Sequence, residues 1–116
     1  MAVNIKAVVD LALNEQPAVL PREIIYCRYP LLDGAGNPSW LLKAAVKTVV
    51  TLLKAKVNTF VYCGAGMSRS PCIAGAAISL LRDCSASAGL ALVTDKVRDI
   101  SPALWKDVQS ILPKRP

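Results

Sequence analysis

The sequence contains no histidine. That absence excludes Ser-His-Asp and Cys-His hydrolases and the histidine-dependent zinc hydrolases. Acid–base work would fall on Asp, Glu, Lys, Tyr or Cys. The four cysteines (Cys27, Cys63, Cys72 and Cys84) include no Cys-x-x-Cys pair, which argues against a zinc site or a redox dithiol, so no metal or cofactor is expected. No apolar run approaches the roughly 20 residues of a membrane span. The N-terminus carries no basic stretch followed by an apolar block and a small-residue cleavage site. A cytoplasmic protein with reduced thiols is the expectation, with no membrane partner. Internal repeats and low-complexity tracts are also missing.

Aromatic residues make up only 5% of the chain. Trp40 is the single aromatic among Lys43, Lys47 and Lys54, so a stacking platform for nucleic acid is not expected. Those lysines lie opposite an apolar helical stripe and read as a solvated face. What is abundant is apolar: 53% of the 116 residues are hydrophobic and 19% charged, which indicates one globular domain over residues 1–116. Net charge is +6, from 14 basic and 8 acidic residues, a balance that favours anionic partners such as phosphates.

Along the chain, "IKAVVDLAL" (5–13) reads as a buried strand and "NEQPAVLPRE" as a loop. "IIYCRYPLL" (24–32) is a second strand, ended by Pro30 and an Asp-Gly-Ala-Gly turn. Asn37 followed by Pro38 predicts a helix start running to about residue 56, with Leu42, Val46, Val49 and Leu53 on one face. "NTFVYC" predicts a third strand, residues 64–68 a loop, and 69–83 a helix. "SASAGLALVTDKVRDI" has helical periodicity through Leu90, Val93, Val97 and Ile100. Ser101 then caps a last helix with Pro102 behind it. The predicted fold is α/β, with a short central, mainly parallel sheet flanked by helices. Cys27, Cys72 and Cys84 are expected to be buried spectators; Tyr26, Tyr29 and Trp40 are expected to pack.

The junction "VYCGAGMSRSP" concentrates the chemistry. A loop leaving a strand's C-terminal end for a helix N-terminus lies where open α/β sheets bind ligands. The first helical amides are unpaired and the dipole there is positive, so the site favours an anion. Gly64 and Gly66 let backbone N–H groups turn inward as a nest, and Arg69 adds a fork of donors suited to two phosphate oxygens. Cys63 sits at the rim of that cup, the environment that makes a thiol nucleophilic.

"CGAGMSRS" resembles the Cys-x5-Arg-Ser loop of the cysteine-dependent protein phosphatases, and "AGMSRSP" before an apolar helix is similar to the dual-specificity branch. The likeness extends to "YPLLDGAG" upstream and to the closing helices downstream. It implies a protein tyrosine phosphatase-like fold and hydrolysis of phosphoserine, phosphothreonine and phosphotyrosine, in proteins or small phosphomonoesters, through a cysteinyl-phosphate. It implies Cys63 as nucleophile, with Gly64, Ala65, Gly66, Met67, Ser68 and Arg69 around the phosphate. Ser70 would donate to the sulfur, and Asp33 would be the general acid.

Two departures stand out. The family usually has histidine before the nucleophile, where this chain has Tyr62, which implies slower chemistry. The strand pair that precedes the equivalent of "IKAVVDLAL" is missing, which implies a truncated sequence or a minimal variant with one sheet edge open to another chain. Two other readings stay open. One is a rhodanese-like sulfurtransferase, although most of those loops hold four residues between Cys and Arg. The other is a catalytically weak module that binds phosphorylated partners.

Overall fold

The computed structural model describes residues 4–64 and 68–113. Three strands, β1 (Ala7–Ala12), β2 (Ile25–Leu31) and β3 (Thr59–Tyr62), form one sheet in the order β2-β1-β3. Both pairings are parallel. Four α-helices are described: α1 (Ser39–Lys54) crosses from β2 to β3, and α2 (Arg69–Arg82), α3 (Ala86–Val93) and α4 (Pro102–Ser110) follow β3. The expected α/β architecture is therefore present, and every described strand pair is parallel.

The central strand is buried almost throughout, as a parallel strand covered on its faces should be. Val9 and Leu11 join Leu31 in a core with Leu42, Ala45, Val46 and Val49 of α1 and Cys72, Ile73, Ala76 and Ala77 of α2. Cys63, Leu90 of α3, Ile100, and Leu104 and Val108 of α4 also belong to it. Lys43, Lys47 and Lys54 are exposed, as the helical stripe requires.

Four local expectations are corrected. The helix expected through Ile100 stops at Val93: Thr94 is extended, and only a 3-10 turn at Val97–Asp99 follows. Asn37 does not cap α1, whose N-cap is Pro38. Its side-chain amide instead folds back on the preceding turn, accepting from Leu32 N (2.8 Å) and donating to the carbonyls of Leu32 (2.9 Å) and Gly34 (3.4 Å). The amide imitates a strand partner, a use of Asn that competes with capping. Third, Trp40 is 68% exposed rather than packed, and, fourth, of the spectator cysteines only Cys72 is fully buried, Cys27 and Cys84 being half-buried.

The partners of β1 and β2 slip at their C-terminal ends, where two steps of β1 (Asp10 to Ala12) match three of β2 (Arg28 to Leu31). The extra residue falls around Pro30, which has no N–H to give the ladder. Beyond this irregularity the Leu31 carbonyl turns toward the start of α2, which sets up the site.

Candidate active site

Cys63 follows β3 directly, and α2 begins six residues later at Arg69. The strand thus ends on a sulfur that lies under the first turn of a helix. Cys63 is 2% exposed. Its Sγ accepts two hydrogen bonds from Ser70, one from the amide (3.2 Å) and one from the hydroxyl (2.7 Å). Two donors thus converge on the sulfur at a helix N-terminus.

Arg69 fastens three chain segments. Its Nη1 donates to the Leu31 carbonyl (3.0 Å) and to Asn14 Oδ1 (3.3 Å), and its Nη2 donates to the Cys63 carbonyl (2.7 Å). Among the described residues these contacts take three of the five N–H donors of a guanidinium, and the two others suit a bidentate grip on an anion. Gly64 adopts φ +88°, a left-handed conformation that glycine enters without penalty. Any Cβ there would also stand 2.7 Å from Glu15 Oε2.

Ser68 is buried, and its hydroxyl accepts from Ser101 N (3.0 Å). That contact joins the loop to the cap of α4, where Ser101 Oγ accepts from Leu104 N (3.2 Å). The Ser68 side chain therefore has a structural part, tying the loop to α4. Asp33 lies exposed on the turn after β2, two residues beyond the carbonyl that Arg69 holds. Its charge reaches the start of α2: the Cys72 thiol is pushed up to about 12, chiefly by burial, with the Asp33 and Cys63 charges adding to it. The structure thus gathers Cys63, Gly64, Arg69 and Ser70 into one site and brings the Asp33 turn alongside. Ala65, Gly66 and Met67 lie outside the described residues.

Sequence reading missed Asn14 and Glu15, which sit just past β1. The available signal was a polar pair at the carboxyl end of a buried strand, the edge at which α/β sheets place their ligands. The hydroxyl of Tyr62 donates to Glu15 Oε1. That bond, with smaller effects of desolvation and nearby negative charge, raises the Tyr62 phenol above its ordinary value of 10.0.

No family model and no curated protein matches the chain. Solved structures do. Human DUSP28 matches with a TM-score of 0.76 at 20% identity, over 92% of this chain and 76% of its own. A mouse dual specificity phosphatase complexed with zinc tungstate gives 0.75 at 21%, over 96% and 77%. PTPMT1 in complex with PI(5)P gives 0.73 at 16%, over 93% and 76%. With a parallel sheet that delivers a cysteine to the start of a helix, the chain has the protein tyrosine phosphatase-like fold in the form seen in dual-specificity phosphatases.

Proposed function

We propose that the protein is a cysteine-dependent phosphatase of the dual-specificity type, hydrolysing phosphomonoesters of serine, threonine and tyrosine through a cysteinyl-phosphate. The observation that carries this reading is the Cys63 sulfur, held as a double hydrogen-bond acceptor by Ser70 beside the Arg69 guanidinium. The tungstate and phosphoinositide complexes of two neighbours support the handling of tetrahedral oxyanions on this fold. The reducing cytoplasm is where such a thiol stays reduced.

In the first step the Cys63 thiolate attacks phosphorus in line. The S–P bond forms as the P–O bond to the leaving group breaks, and Asp33 gives its proton to the departing oxygen. Backbone amides from Gly64 to Arg69 and the two uncommitted donors of Arg69 take the phosphoryl oxygens, supplying positive charge where negative charge develops. In the second step Asp33, now a carboxylate, takes a proton from water as the water oxygen attacks phosphorus. The P–S bond breaks, its electron pair returns to sulfur, and the two Ser70 donors stabilise the thiolate that leaves. Inorganic phosphate is released with the enzyme restored.

The test is phosphate release from an aryl phosphate and from phosphoserine, phosphothreonine and phosphotyrosine peptides. Cys63→Ser is expected to abolish turnover, and Asp33→Ala to slow it roughly a hundredfold, as loss of a general acid does. Turnover that survives Cys63→Ser would overturn the reading.

A further inference from the structure

The loop after β1 brings to the site a carboxylate that the reaction above does not use. Its backbone is fixed: the Glu15 amide donates to the Ala12 carbonyl (3.4 Å), and the Glu15 carbonyl accepts from Arg28 Nη2 (3.2 Å). Next door, Asn14 Oδ1 accepts from Arg69. With the main chain anchored, the Glu15 side chain can only swing about its own torsions. One carboxylate oxygen accepts the Tyr62 hydroxyl. The other lies 2.7 Å, and Arg69 Nη2 3.9 Å, from the point where a Cβ on Gly64 would sit. An anionic group and the arginine that serves the anion therefore flank the first residue of the loop.

Left unrestrained, a carboxylate so placed would be drawn to the guanidinium and to the N-terminal end of α2, since these favour any anion. It would compete for the positions that a phosphoryl group needs. The Tyr62 hydroxyl is the group that holds it aside. We propose that Glu15 is a built-in competitor for the anion cradle and that Tyr62 is a positioning residue that restrains it at the rim. The residue before the nucleophile thus acts on substrate affinity, through Glu15, and not on the sulfur.

The proposal rests on the phosphatase reading for its meaning but not for its test, which reads anion binding directly. Inorganic phosphate and tungstate are titrated calorimetrically into wild type, Tyr62→Phe, Glu15→Gln and the double variant, with KM and kcat for an aryl phosphate measured alongside. Tyr62→Phe frees a charged competitor, and both dissociation constants and KM should rise roughly tenfold, the effect falling on KM more than on kcat. Glu15→Gln should tighten binding. The double variant should behave like Glu15→Gln, because removing the charge makes the restraint superfluous, a rescue that a packing defect would not show. Tyr26 and Tyr62 both titrate above the ordinary range, and in an alkaline spectrophotometric titration Glu15→Gln should return Tyr62 alone to it. Unchanged phosphate binding in Tyr62→Phe, or a double variant that keeps the Tyr62→Phe defect, would overturn the proposal. The expected binding pattern with no hydrolysis by wild type would overturn only the phosphatase reading.

Discussion

Ser70 gives one sulfur both its amide and its hydroxyl, and the two donors are separable. Ser70→Ala keeps the amide at the helix N-terminus and removes the 2.7 Å hydroxyl contact. Hydrogen bonds to charged acceptors contribute about 1.5–3 kcal/mol, and the hydroxyl matters most when sulfur departs as a thiolate. The second step should therefore slow by roughly one to two orders of magnitude, and rapid-quench kinetics should show a burst as phosphoenzyme accumulates. A variant with no burst and unaltered kcat would mean that the amide alone suffices. Cys72, nine residues beyond Cys63 in sequence, makes the opposite case. Burial holds its thiol at about 12 against a reference of 9.0, so it stays protonated in the fold where an unfolded chain would ionise. Stability should fall as pH rises from about 9 toward 12, and Cys72→Ala should flatten that decline in urea titrations. Below pH 9, iodoacetamide should leave Cys72 unmodified in the native protein, as peptide mass mapping would show. Cys63, Arg69 and Ser70 were legible in the sequence because they are contiguous and of distinctive type. Glu15 was not, because its partner Tyr62 lies 47 residues away and only the sheet brings them together.

At the level of elements, the site depends on two pieces of close packing. The Asp33 turn is closed by Asn37, which bridges Leu32 and Gly34. Asn37→Ala opens that turn without touching Cys63. It should cost activity mainly on substrates with poor leaving groups, where proton donation limits the rate. An equal loss on good and poor leaving groups would mean that the turn has another role. The second piece is the crossing of α2 and α3. A Cβ at Gly75 would stand 2.8 Å from Leu90 Cα, and one at Gly89 would stand 2.9 Å from both Ser79 N and Ser79 Cβ. Gly89→Ala must push two backbones apart and should destabilise by roughly 2–3 kcal/mol in urea unfolding. A midpoint like that of wild type would show that the helices separate freely. Sequence periodicity located α3 but overran its end, because Val97 and Ile100 continue the apolar pattern after the chain has left the helix. Ile100 is buried in the same core but Val97 is 51% exposed, so apolar spacing reported burial correctly at Ile100 only and α-helix at neither. The Asn37-Pro38 pair misled for a related reason: the side chain had two uses, and sequence order does not rank them.

For the whole molecule, the parallel sheet was legible because two apolar strands, a helical period, a third apolar strand and a helical second half follow in an order that few architectures accommodate. How the sheet becomes a binding device was not legible, since it rests on one side chain that joins distant segments. Arg69 ties Asn14 after β1, Leu31 at the end of β2 and Cys63 after β3. All three lie at the carboxyl edge of the sheet. An anion in the cradle would add contacts to a residue that already holds this edge together, so ligand binding and global stability should be coupled. Inorganic phosphate or tungstate at about 100 times its dissociation constant should stabilise the protein by roughly 2.7 kcal/mol, which for a chain of this size is a rise of roughly 10 °C in Tm. Arg69→Ala should lower Tm without ligand, because the Leu31 and Cys63 carbonyls lose their donor, and should abolish the rise on adding anion. Arg69→Lys separates the two effects. It keeps the charge, and so part of the ligand-induced rise, but a single ammonium cannot replace the planar fork that spans three acceptors, so the ligand-free Tm should stay low. A lysine variant with full ligand-free stability would show that charge, and not the fork, joins the edge of the sheet. An alanine variant that still gains the full rise would place the anion away from Arg69.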